Sequence, residues 1–122
     1  MARLKLKLQL YCGDEIAMGP GKADLLAAIA REGSISAAGR ALGMSYRRAW
    51  LLVDTMNRCF KEPLVEAHPG GGKSAGAKLT PEGEAALGAY RALSAQVERG
   101  APGTDYAALE AAIRSVPLAS QS

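Results

Sequence analysis

The side chains best equipped for chemistry in this chain are cations. Arg47, Arg48 and Arg58 share one stretch with Thr55, and Lys73, Ser74 and Lys78 follow around a run of glycines. Guanidinium groups present forked donors that match phosphates and base edges, and bare glycine backbone can approach a phosphate closely. Binding a polyanion is the first chemistry this pattern offers. Catalysis is not. His68 is the single histidine, it precedes a proline, and nothing around it forms a catalytic pair. No nucleophile stands beside a base, so the chain is not expected to be an enzyme. Gly72, Lys73 and Ser74 copy the end of a nucleotide-binding P-loop. That motif needs a glycine where Ala67 stands and a helix directly after the serine, where Ala75, Gly76 and Ala77 are poor ground. Cys12 and Cys59 are far apart in sequence and fit no zinc or redox spacing, which points to a reducing, cytoplasmic setting.

These cations need elements to hold them. Between Ser34 and Arg58 the pattern predicts two helices joined by a tight turn. In the first, Ala38, Ala41 and Leu42 fall at i, i+3, i+4, a narrow face of mostly small residues that lets another helix cross closely. Ser36 is the expected N-cap, Gly43 supplies the positive φ at the helix end, Met44 is an apolar pivot, and Ser45 caps the next helix. This is the sequence form of a helix-turn-helix. On the second helix Ala49, Leu52, Val53, Met56 and Phe60 make the core face, and Arg47, Arg48, Thr55 and Arg58 lie opposite, with Leu51 and Asp54 among them. Two arginines in the first turn oppose the helix dipole, so their position needs a reason beyond helix stability. A recognition helix entering the DNA major groove supplies one. A solvated charged face is the plainer alternative, and the preceding turn signature favours DNA. Trp50, at the edge between the faces, is expected to anchor the core rather than stack on bases.

Around this pair, residues Arg3 to Leu10 alternate strictly between basic or polar side chains and leucines, the period of a half-buried strand. Such a strand must pair with another strand or with its own symmetry mate. A helix is expected from Gly21 to Arg31, with Leu25, Leu26, Ile29 and Ala30 as its stripe, Pro20 at its start and Gly33 at its end. Pro63 ends the recognition helix. Leu64 to Ala67 and Lys78 to Thr80 then read as two short strands about a glycine-rich tip bearing Lys73 and Ser74, which is a wing. Thr80 caps a long helix with Pro81 at its first position and Glu82 and Glu84 in its first turn. Leu87, Tyr90, Leu93 and Val97 keep one apolar face to Arg99, which either joins two copies or packs on its own core. Residues 100–122 read as a linker and a short helical or disordered tail, leaving 1–99 as the domain.

The expected class is α+β, mainly α: a winged helix-turn-helix with an N-terminal strand and a long C-terminal helix. At 122 residues with 48% hydrophobic content, one modest core is expected. The net charge of +3 is mild, but bases gather at the front and acids at the rear, which suits one face toward a polyanion. Lysines alternating with leucines break any signal-peptide core, and no run is long enough to span a membrane.

These residues resemble the DNA-binding domain of molybdate-responsive (ModE-type) transcriptional regulators, relatives of the LysR winged-helix family. The likeness lies in Ser34-Ile35-Ser36, Ser45-Tyr46, Ala49-Trp50, Met56-Asn57, Leu64-Val65-Glu66, Gly70 to Lys73, Leu79-Thr80 and Gly83. The resemblance implies a homodimer built through the N-terminal strand and the helices flanking the reading unit, with Leu4, Leu6, Leu8, Leu87, Tyr90, Leu93 and Val97 as its contacts. It implies double-stranded DNA with a palindromic operator as partner. Carried over by position, Ser36, Ser45, Tyr46, Arg47 and Arg48 face the DNA, with Lys73 and Lys78 on the wing. Full-length members also carry paired β-barrel modules that bind molybdate, and the tail here is too short for one, so no cofactor is expected. Mixed dimers with a full-length ModE-type relative would fit that shortness, and the bare wing amides with Lys73 offer a separate role, holding an oxyanion.

Overall fold

A proline fixes the start of the first long helix and a glycine its end. The computed structural model describes residues 2–68 and 76–120, and in it α1 runs Pro20–Glu32 with Pro20 in its first turn. Gly33 closes it at φ 81°, a left-handed turn that L side chains rarely adopt, and donates its N–H to the Ile29 carbonyl. Ala23, Leu25, Leu26, Ala28 and Ile29 are buried, whereas Ala30, expected on that stripe, faces solvent and Ala28 takes its place.

Helix α2 is Ile35–Ala41 and α3 is Tyr46–Cys59. The α2 cap is Ser34, not Ser36: its hydroxyl accepts from the Ala37 N–H at 3.0 Å. Both serines suit a cap by type; Ile35 decides between them, because only a helix beginning there buries its side chain with Ala38. Ala41 and Leu42 are exposed, so the buried face of α2 is Ile35, Ala38 and Gly39. A β-carbon on Gly39 would stand 3.2 Å from the Ala49 Cβ and 3.3 Å from the Met44 carbonyl oxygen, the close helix crossing that small residues permit. Gly43 turns the chain at φ 71°, and the Ser45 hydroxyl caps α3 by accepting from the Arg48 N–H at 3.1 Å.

The wing is present. Strand β3 (Val65–His68) and strand β4 (Gly76–Leu79) pair antiparallel, with Val65 opposite Leu79 and His68 opposite Gly76. (These labels follow β1 and β2, the hairpin described next.) Thr80 links wing and final long helix: its hydroxyl donates to the Pro63 carbonyl at 2.6 Å and accepts from the Gly83 N–H at 3.0 Å. Helix α4 (Pro81–Gly100) follows, then α5 (Thr104–Ala112), which buries none of its residues.

The N-terminal expectation is corrected. Residues 2–9 carry no ladder partner among the described residues; the strand that forms is β1 (Leu10–Cys12), paired antiparallel with β2 (Glu15–Met18) about Gly13 at φ 59°. A ladder needs a second strand, and within one chain the nearest is Glu15–Met18, which was not foreseen. Of the alternating leucines, Leu6 and Leu8 are half-buried, and the Leu8 carbonyl accepts from the Tyr90 hydroxyl at 2.8 Å. Tyr90 is thereby buried in the chain's own core. The core joins α1, α2, α3, β2, the wing base and α4 around Leu25, Leu26, Ile29, Val53, Met56 and Leu64.

Candidate nucleic-acid interface

Ala49, Val53 and Met56 are buried at helical spacing, so the rest of α3 must look outward. Arg47 and Arg48 are exposed in its first turn, and among the described residues neither forms an ion pair. Tyr46 is 55% exposed beside them, and Ser45 is exposed with its hydroxyl oxygen engaged in the cap. The front of α3 thus presents two exposed guanidiniums, a phenol and a serine together.

The two flanks of α3 differ. On one side the Asn57 amide fastens the helix to the wing: its Oδ1 accepts from the Leu64 and Val65 N–H groups at 2.8 and 3.2 Å, and its Nδ2 donates to the Val65 carbonyl at 3.1 Å. Trp50 lies on this flank, 43% exposed, which overturns its expected place in the core. It sits one residue, a 100° rotation, past the buried Ala49. With Tyr46, Ser36 and His68 it lines a cleft of about 600 Å³ between α2, α3 and the wing. Lys78 is exposed on β4. Lys73 and Ser74, the predicted wing-tip contacts, lie outside the described residues.

On the other flank Arg58 is drawn away from the DNA-facing set. Its guanidinium grips Glu15 with two hydrogen bonds, 2.9 and 3.1 Å, and donates to Asp54 at 2.9 Å. This hydrogen bonding holds the Glu15 carboxyl below its ordinary 4.5. Thr55 is half-buried and its hydroxyl donates to the Leu51 carbonyl at 3.0 Å, so of the expected polar face it is the least available. Ser36, half-buried, accepts from the Arg40 Nη1 at 2.8 Å. Leu51 is 51% exposed among these polar groups, and nothing in the structure explains it.

Lys22 was missed by sequence reasoning. Burial, then the Arg48 charge, pushes its ammonium below the ordinary 10.5, so the first turn of α1 adds a cation next to the recognition helix. Pairwise proximity of like charges across two helices leaves no trace in local sequence. Arg40 is another exposed base near this surface that the sequence reading passed over.

A capped helix crossing a second over small residues, exposed bases at its front and an antiparallel wing at its side define a winged helix-turn-helix DNA-binding domain. The chain belongs to the lysR family of bacterial regulatory helix-turn-helix proteins, whose description matches residues 22–84. It is 50% identical over 82 residues to the molybdenum-pterin-binding protein MopB of Rhodobacter capsulatus, covering 67% of this chain and 30% of that one. It is 43% identical over 74 residues to the molybdenum transport protein ModE of Azotobacter vinelandii, covering 61% of this chain and 27% of the relative. To the DNA-binding transcriptional dual regulator ModE of Escherichia coli it is 37% identical over 96 residues, 79% of this chain and 35% of that one. The chain therefore spans about a third of these relatives, and the ModE-type resemblance read from its motifs stands. The crystal structure of a CbnR DBD–DNA complex has the same fold, with TM-score 0.54 at 21% identity, covering 75% of this chain and 95% of that one.

Proposed function

We propose that this chain is a homodimeric, sequence-specific transcriptional regulator that reads a palindromic operator with two α3 helices and two wings, in genes linked to molybdenum. The observation that carries the reading is the pair Arg47 and Arg48, exposed at the front of a capped helix against the helix dipole and unpaired among the described residues. That arrangement costs the free protein and is recovered only when an anion sits against it. Tyr46, Ser45 and Ser36 border the same surface, with Lys78 on the wing. The cleft between α3 and the wing gives the sugar-phosphate backbone a seat. The names of the relatives carry the link to molybdenum; a molybdate site within this chain is not part of the proposal.

Fluorescence anisotropy against fragments upstream of molybdenum-related genes, at two salt concentrations and with and without molybdate, tests it. Specific binding should weaken steeply with salt, because each neutralised phosphate releases counterions. Half-sites should lie about one helical turn apart, roughly 34 Å. Binding that does not discriminate between fragments would sink the proposal.

A further inference from the structure

The β1–β2 hairpin plays no part in the proposed reading surface, yet it is bonded to the far end of the recognition helix. Cys12 stands opposite Glu15 in the hairpin register. The Glu15 carboxylate accepts two hydrogen bonds from Arg58, at 2.9 and 3.1 Å, and Cys59 is the next residue along α3. This two-pronged bridge draws together the segments that carry the cysteines. Two cysteines that sequence spacing set apart are thus carried by adjoining segments of the fold. Both are free, Cys12 exposed and Cys59 half-buried. Among the described residues no group of three His, Cys, Asp or Glu side chains could hold a metal ion, so the pair lacks the further ligands a metal site needs.

We propose that Cys12 and Cys59 are a peroxide-responsive dithiol that closes to an intramolecular disulfide, fastening the β1–β2 hairpin to the C-terminal end of the recognition helix. Cys12, the exposed partner, reacts first. Its thiolate attacks hydrogen peroxide, an S–O bond forms, the O–O bond breaks, and the departing hydroxide takes a proton to become water. Cys59 then attacks the Cys12 sulfenic sulfur. The S–S bond forms, the S–O bond breaks, and the second hydroxide takes up the proton Cys59 gave up. Two thiols and one peroxide become one disulfide and two waters, and the two sulfurs supply the two electrons. Burial and the neighbouring Cys12 push the Cys59 thiol up from its ordinary range, with Glu15 acting in the same sense and Arg58 against it. Cys59, half-buried where Cys12 is exposed, takes the resolving role. The hairpin continues into residues 2–9, which reach α4 through the Leu8 to Tyr90 hydrogen bond, so the disulfide ties the N-terminal arm to α3.

The test uses the full chain, reduced, exposed to a modest excess of hydrogen peroxide and then alkylated. Intact mass should show the loss of two hydrogens, and non-reducing peptide mapping should find a Cys12–Cys59 cross-link. The melting temperature should rise by about 5 °C or more, since the bond closes a long loop that already lies in position. Dithiothreitol should reverse every change, and Cys12→Ser and Cys59→Ser should abolish them while melting like the reduced parent. Three outcomes overturn the proposal: sulfinic or sulfonic acid at Cys12 without a cross-link, a disulfide between two chains, or an internal cross-link that lowers the melting temperature.

Discussion

Gly83 and Asn57 hold the base of the wing, one against α4 and the other against α3. A β-carbon on Gly83 would overlap the Leu64 carbonyl oxygen and stand 3.0 Å from its carbon, with backbone on both sides of the contact. Gly83→Ala should therefore destabilise the fold by about 2–4 kcal/mol in urea unfolding, although alanine is the better helix former. Asn57→Ala removes an amide that satisfies three backbone groups at the α3–β3 turn, and should cost about 1–3 kcal/mol. A loss below half a kcal/mol would mean that water replaces the amide. The arginines behave oppositely. Arg47→Ala and Arg48→Ala should leave stability equal or slightly raised, by up to about 1 kcal/mol as a cation leaves the helix N-terminus, and weaken operator binding by about 1–3 kcal/mol where the side chain reads a base. An arginine that touches only phosphate should instead lower the salt slope equally on all sequences. Unchanged binding in both variants would refute the assignment.

At the scale of elements, capping chemistry shows what sequence reveals and what it hides. The helix pair, Gly33, Gly43, Ser45, Thr80, Pro81 and the wing strands were all legible, because each rests on local backbone chemistry that a few adjacent residues fix. The cap expected at Ser36 stands instead at Ser34, since both satisfy the local rule and burial of Ile35 makes the choice. Ser34→Ala should cost about 1 kcal/mol of stability and Ser36→Ala far less, a contrast that thermal melts can read directly. Arg58, Trp50, Lys22 and the cysteine pair escaped for one shared reason: their roles depend on segments distant in the chain. The Glu15–Arg58 bridge also gives the hairpin a pH dependence. Because Arg58 depresses the Glu15 pKa in the folded state, the stabilisation is present above about 4.5 and fades as the pH falls below that value. Both partners are exposed, so the effect should be small and weaken with salt. Melting temperature against pH in the parent and in Glu15→Gln should converge in acid and separate above it; parallel curves would remove the bridge from the account.

The whole molecule leaves apolar surface that one chain does not cover. Leu93 and Val97 on α4 are 41% and 38% exposed, and Leu4 is 45% exposed in the N-terminal segment. Tyr90 and, in part, Leu8 and Leu87 are taken up by the chain's own core, so of the seven residues expected at a dimer interface these are the least free to serve it. Leu4, half-buried Leu6, Leu93 and Val97 remain, and α4 carries the latter two outward at helical spacing beyond the DNA-reading unit. A second copy meeting this face would bury them about a two-fold axis, and the same axis would relate two recognition helices. Leu93→Glu with Val97→Glu places four carboxylates at such an interface and none in the core. Sedimentation should then show a dimeric parent and a monomeric variant, while circular dichroism stays unchanged because neither residue supports the fold. On a palindromic operator the variant should lose at least tenfold in affinity, since two linked half-site contacts gain about 10²–10⁴ over one. On an isolated half-site it should match the parent. A parent that sediments as a monomer at micromolar concentration would place dimerisation elsewhere, and a variant that loses half-site binding would show that α4 supports the reading helix directly.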